Sequence, residues 1–265
     1  MRKTMLALVA ALLAATLIVA GCGKTTTKTN DATKILKDSN KAMQSVKSYK
    51  AAGSINMSGK APDLRKMDFT FEMQVQQKGP KDFEGRMMLH LMGEDMEIYM
   101  SNGYAYMNDP KKGWVKQPLA DFTDISKLAS PADLSKLGEA AQNTRILAED
   151  SQYYKIAFDL KTDYIQELMG MKKGTKSLSA EEKKMANAMV KGMQMGAAFQ
   201  IEKSTHYILS MTMNFNIPNM PTVGALKMEE KIDMSDFNKP VEVNLPAEAK
   251  NAPEVTGNGT STPTP

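Results

Sequence analysis

Apolar and polar residues alternate along much of this chain with the period of two that sends successive side chains to opposite faces of a strand. Met67, Phe69, Phe71, Met73 and Val75 are interleaved with Asp68, Thr70, Glu72 and Gln74. Phe83, Gly85, Met87, Leu89 and Leu91 repeat the pattern. Gly93 then supplies a turn, and Met96, Ile98 and Met100 form a third strand. Asn102-Gly103 is the two-residue hairpin signal, with Tyr104 and Tyr106 on the return strand. Further on, Tyr154, Ile156, Phe158 and Leu160 alternate, as do Tyr207, Leu209, Met211, Met213, Phe215 and Ile217, and then Leu226, Met228, Ile232 and Met234. Strands with one apolar and one wet face predict an antiparallel sheet.

Helical spacing breaks this series in four places. Ile35, Ala42, Met43 and Val46 form an apolar stripe that Asn30 or Asp31 can cap. Residues 119–142 and 161–171 read as helical, with Ser130 before Pro131 as a cap and first-turn pair. Ser179-Ala180-Glu181-Glu182 is a capping box that opens a helix carrying Met185, Met189 and Met193 on one side. One helix, many strands, inserted helices and more strands predict an α+β fold, a large curved antiparallel sheet with helices against one face.

The ends have a different composition. Arg2 and Lys3 precede an apolar run, Met5 to Ala20, that is shorter than the ~20 residues of a transmembrane helix. The run ends at Val19-Ala20-Gly21-Cys22, and Cys22 is the only cysteine. This segment resembles the lipobox of bacterial lipoproteins. The resemblance implies cleavage before Cys22, a diacylglycerol on its sulfur, and residence on the extracytoplasmic face of the cell membrane. The expected organisation is a signal peptide over 1–21, an acylated cysteine and polar tether over 22–30, one domain over 31–250, and a disordered tail over 251–265, which is rich in Pro, Thr, Gly and Asn. Fully extended, the eight tether residues after Cys22 reach ~26 Å. Loss of Arg2 and Lys3 lowers the formal charge from +4 to +2. That near-neutral balance argues against a nucleic-acid partner. With its cysteine acylated, the chain forms no internal disulfide, so stability must come from a packed core.

Catalytic signatures are sparse. His90 and His206 fall on the polar faces of the predicted strands, and their spacing does not demand a metal site. The sequence contains no nucleophile elbow, phosphate-binding Gly-rich loop or His-Glu-x-x-His. No enzymatic activity, metal or cofactor is expected. Glu230 stands in register with Met228 and Ile232 on an apolar face. The rarity of buried glutamate favours a position near a bend or bulge facing water over a polar anchor inside a pocket.

Methionine is the unusual resource. Of 23 methionines, 21 remain after Met1 and Met5 leave with the signal. The flexible thioether adapts to ligands of varied shape. Candidates to line an apolar cavity are Phe71, Met73, Met87, Leu89, Met96, Ile98, Met211, Met213 and Met228 on strands, and Met185, Met189 and Met193 on a covering helix. Plain core filling explains the same residues. Met193-Gln194-Met195 and Met211-Thr212-Met213 also match soft-metal pairs, but no histidine accompanies them, and strand alternation alone produces such spacing.

A family resemblance rests on several segments together. These are the acylated cysteine and tether, a helix of the type Lys41-Ala-Met-Gln-Ser-Val-Lys-Ser-Tyr49, the strands Ile98-Tyr-Met100 and Tyr104-Ala-Tyr-Met107, Gly113-Trp-Val-Lys116, Met234-Ser-Asp-Phe-Asn238 and Val241-Glu-Val-Asn-Leu-Pro246. The chain resembles the LolA/LppX-like superfamily of bacterial envelope lipoproteins, in particular a Gram-positive branch. The resemblance implies a half-open barrel whose helices plug an apolar cavity for acyl chains. It brings no catalytic residues. The implied function is binding of a lipid or other hydrophobic molecule at the membrane surface. The alternative is a tethered interaction or sensor domain with a filled core, partnering an envelope membrane protein.

Overall fold

The computed structural model describes residues 29–59, 67–79, 82–91, 93–109, 113–119, 136–168, 192–220 and 224–255. The lipobox residues Val19, Ala20, Gly21 and Cys22, the Ser130-Pro131 cap, the capping box at 179–182, and Met185 and Met189 lie outside these residues. Helix α1 (Thr29–Gln44) leads into β1 (Ser48–Gly59), β2 (Met67–Gly79), β3 (Asp82–Leu91), β4 (Glu94–Ser101), β5 (Tyr104–Asp109) and β6 (Gly113–Pro118). Then follow β7 (Ala141–Glu149), β8 (Tyr153–Leu160), α2 (Thr162–Leu168), β9 (Gln194–Glu202), β10 (Ile208–Met220), β11 (Gly224–Ser235) and the short α3 (Ala247–Lys250).

The strands form one eleven-stranded sheet in the order β6-β5-β4-β3-β2-β1-β11-β10-β9-β8-β7. Every neighbouring pair is antiparallel. Two meanders, β1–β6 and β7–β11, are joined where β1 pairs with β11 from Lys50↔Ser235 to Gly59↔Leu226. The sheet is not closed, and β6 and β7 are its edges. The Asn102-Gly103 hairpin forms as its sequence dictates. Both residues take positive φ (53° and 78°), as the tight turn between Ser101 and Tyr104 requires.

Three strands depart from the sequence expectation. Helix α1 ends at Gln44, so Ser48 and Tyr49 belong to β1 and not to a helix running on to Tyr49. Of the helix expected over 119–142, residues 136–139 are helical, 120–135 lie outside the described residues, and Ala141 and Gln142 already belong to strand β7. Met193 is not on a helix with Met185 and Met189; it directly precedes β9.

One core forms on one face of the sheet, here the inner face. Tyr49, Met73, Val75, Met87, Met100, Phe158, Phe199, Met211, Ile232 and Met234 enter it from the strands, Ala32, Leu36 and Met43 from α1, and Ile165 from α2. Phe199 and Phe158 meet edge-on with ring centroids 4.9 Å apart, a favoured aromatic geometry. Met43 Sδ accepts a hydrogen bond from the Ile208 backbone N–H at 3.4 Å, which fixes the end of α1 at the start of β10.

The chain after β11 crosses the opposite, outer face. Asp236 pairs with Lys50 at 2.8 Å and Lys239 at 2.6 Å, and bonding to Lys239 and Lys50 draws its carboxyl down to about 2. Ser48 Oγ donates to the Lys239 carbonyl at 2.5 Å, and the Val241 N–H donates to Gln76 Oε1 at 3.4 Å. Val243 and Leu245 then pack with Tyr99, Tyr106, Tyr104 and Trp114 in a second small core. The segment ends as a short parallel addition to β6. The Lys116 N–H donates to the Pro253 carbonyl, and the Val255 N–H to the Lys116 carbonyl, at 2.9 and 2.8 Å. This addition covers an otherwise open sheet edge. Of the tail expected over 251–265, Pro253 and Val255 are hydrogen-bonded to β6, while 256–265 lie outside the described residues.

Candidate functional site

The inner face is uneven. At the end where β1 begins and β11 finishes, Tyr49, Ala51, Met73, Val75, Met87 and Met234 are all buried, in one apolar cluster with Ala32, Leu36 and Met43 of α1. At the other end of β1, β2, β3 and β11 the apolar side chains are only half-buried. Register places them side by side: Leu89 opposite Phe71, Phe69 opposite Ile55, Met57 opposite Met228, and Phe215 beyond Met228 on β10. Met96, opposite Leu89 on β4, is 42% exposed. This half-open patch of long apolar side chains is the candidate site.

Gly53 shapes it. A Cβ there would fall 2.6 Å from both the Phe71 ring and the Lys231 carbonyl oxygen. The missing side chain lets the Phe71 ring lie across β1 toward β11.

The residues picked out by sequence divide between patch and core. Phe71, Leu89, Met96 and Met228 lie in the half-open patch or at its margin. Met73, Met87, Ile98, Met193, Met211 and Met213 are buried in the core. Met185 and Met189 are outside the described residues. Sequence reasoning missed Ile55, Met57, Phe69 and Phe215 as members of the patch. The alternation Tyr49, Ala51, Gly53, Ile55, Met57 was available for β1, but its small residues gave it weak amplitude.

Glu230 overturns the water-facing expectation. The ladder between β1 and β11 runs without a bulge through Ile55↔Glu230, and that between β10 and β11 through Met213↔Glu230. Inward-facing register is therefore kept, and Glu230 is buried with 5% exposure. Its cross-strand neighbours are Ile55 and Met213, its same-face strand neighbours Met228 and Ile232, and its diagonal neighbours include Met57 and Phe215. None of these titrates. Among the described residues Glu230 makes no hydrogen bond or ion pair, and desolvation raises its pKa above the usual 4.5.

The sign of the linkage follows. The folded state holds this proton more tightly than the unfolded state, so stability falls as pH rises from 4.5 until the folded-state carboxyl ionises. Glu230→Gln is expected to be more stable than the wild type at pH 8 and to lose that advantage at pH 4. Denaturant titrations of both proteins at the two pH values check this; a pH-independent difference between them would refute the assignment.

Two depressions lie elsewhere on the described surface. A depression of about 420 Å³ on the outer face is lined by Lys50, Ala52, Glu72, Gln74, Arg86 and Asp233. Another of about 420 Å³ between α1 and β7 is lined by Lys37, Asn40, Gly138, Thr144 and Lys161. His90 is partly exposed and pairs with Asp95 at 2.6 Å, while His206 lies in the turn before β10 with φ 61°. Among the described residues no group of three or more His, Cys, Asp or Glu is placed to hold a metal, and no helix is long and apolar enough to cross a membrane.

Known structures share this architecture. LprF from Mycobacterium bovis superposes with a TM-score of 0.51 at 14% identity, covering 82% of this chain and 98% of that one. The Mycobacterium tuberculosis lipoprotein LppX gives 0.49 at 13% identity, covering 81% and 99%. The fold is like that of LprF. No curated protein matches the chain. Residues 31–254 match a protein family described as a Family of unknown function (DUF6612).

Proposed function

The chain belongs to DUF6612, a family of unknown function, and from that premise we propose that it is a membrane-anchored lipoprotein that binds a lipid or other hydrophobic molecule on the inner face of its sheet. The observation that carries this reading is the half-open patch. Phe71, Leu89, Phe215 and Met228 remain half-buried although the same face is fully packed a few residues further along each strand. Contiguous apolar surface left open at one end of a packed face marks a place for an apolar ligand. Leu89, Met57 and Met228 bring flexibility suited to acyl chains.

In this reading Cys22 carries the acyl anchor on the extracytoplasmic face, and because α1 already begins at Thr29, the polar tether spans six residues and reaches ~20 Å from the anchor to the start of the domain. Movement of helices against the sheet acts as the gate. The chemistry needed is burial of hydrocarbon, with no bond made or broken.

Mass spectrometry of protein extracted from membranes tests both halves at once. Denaturing spectra are expected to show a mature chain starting at Cys22 with a diacylglycerol mass. Native spectra are expected to show an additional non-covalent lipid. Repeated absence of that second mass, with no uptake of a pyrene-labelled fatty alcohol or acid, would sink the binding reading.

One observation favours a different role. Met73, Met87, Met211 and Met213 are packed core residues. If the patch is likewise closed in solution, the domain is a tethered interaction module for an envelope membrane protein, and it takes up neither probe.

A further inference from the structure

Among the described residues Glu230 is the one buried carboxylate, and it stands at the margin between the packed and half-open parts of the inner face. On one side Met213 is buried; on the other, Ile55 is half-buried and faces the patch. A buried ionisable group without a partner costs stability, so the fold gains nothing from it. Its nearest charged neighbours in sequence, Glu229 and Lys231, point to the other face and pair with each other at 2.8 Å. Among the described residues its carboxyl thus has no hydrogen-bonding partner, and the half-buried Ile55 beside it opens onto the apolar patch.

Building on the proposed lipid-binding reading, we infer that Glu230 is the polar anchor of the site and selects hydrophobic ligands whose head donates a hydrogen bond, a hydroxyl above all, over free fatty-acid anions. A carboxyl accepts a hydrogen bond from a hydroxyl whether or not it is ionised. An anionic head placed beside an ionised carboxylate, in surroundings that desolvate both, meets like-charge repulsion. Apolar contacts on Phe71, Ile55 and Met228 would hold the chain of either ligand equally well, so the head group alone decides between them. Uncharged long-chain alcohols and mono- or diacylglycerols fit this chemistry.

The test compares a pyrene-labelled long-chain alcohol with the fatty acid of identical chain and label, at pH 8, on the full mature protein and two variants. The wild type is expected to prefer the alcohol at least tenfold. Glu230→Leu is expected to abolish that preference by weakening the alcohol and strengthening the acid. Glu230→Gln, close in shape and able to donate as well as accept, is expected to keep the alcohol and to bind the acid better than the wild type does. Circular dichroism and thermal melts of each variant verify folding, and the glutamine variant decides the matter if the leucine variant does not fold. An alcohol-to-acid ratio that is the same in the wild type and the folded variants overturns the anchor while leaving lipid binding intact. Binding of neither probe by the wild type overturns both.

Discussion

Phe199→Ala is expected to cost about 3–5 kcal/mol of stability, the range for emptying a fully buried aromatic site. Phe199 has 0% exposure, lies between Ile156 on β8 and Met211 on β10, and meets Phe158 edge-on. Its neighbours sit on strands already tied by backbone ladders, so they cannot collapse into the space a ring leaves. For a domain of this size that loss corresponds to a fall in Tm of roughly 6–20 °C. Urea titration is the direct measurement. A change below about 1 kcal/mol would mean that the β8–β10 part of the core is not packed as described. Phe199→Leu, which keeps most of the volume, is expected to lose much less.

Gly53→Val should produce the second large effect, by overfilling instead of emptying. Its Cβ would fall 2.6 Å from the Lys231 carbonyl oxygen, a backbone atom held in the β1–β11 ladder, and equally close to the Phe71 ring. The ring can turn aside, but the carbonyl cannot move without straining the central pair. A loss of about 1–3 kcal/mol is expected. The substitution also drives Phe71 into the open patch, so uptake of either pyrene probe should fall, in proportion to the lost space and not to the head group. Equilibrium unfolding and probe titration on the same preparation separate the two effects. Unchanged stability would show that Gly53 is not the close-approach point the geometry describes.

Much of the sheet was legible because its strands keep strict alternation with large residues. The strands that escaped did so for identifiable reasons. β1 alternates, but Ala51 and Gly53 give its apolar face little weight, and α1 precedes it after only three residues. β7 is an edge strand with register shifts between Gln142 and Arg145 and between Ile146 and Ala148, with Asn143 at φ 53°; bulges erase the period of two. β9 has clear alternation in Met195, Ala197, Phe199 and Ile201, but the Met185-Met189-Met193 spacing drew its start into a helix. Glu230 teaches a different lesson. Its register with Met228 and Ile232 pointed inward, and only the general rarity of buried glutamate pointed outward. Pairing on both sides of β11 fixed the strand too firmly for one carboxyl to twist it into water. The half-open patch itself was not legible, since which methionines are filler and which line a gap depends on tertiary packing against the strands, which alternation does not encode.

The adjacency of β1 and β11 has a consequence for biogenesis. A chain that is threaded across a membrane from its amino terminus delivers β1 first, yet the strand that completes its ladder arrives last of all. Until then the two meanders are separate, and each offers a long unsatisfied edge in the middle of the future sheet. Contacts so distant in sequence form slowly. On the proposed reading, in which the chain is exported and acylated at Cys22, that central seam is still unsealed while the chain crosses the membrane, a state that folding catalysts and proteases would compete to capture.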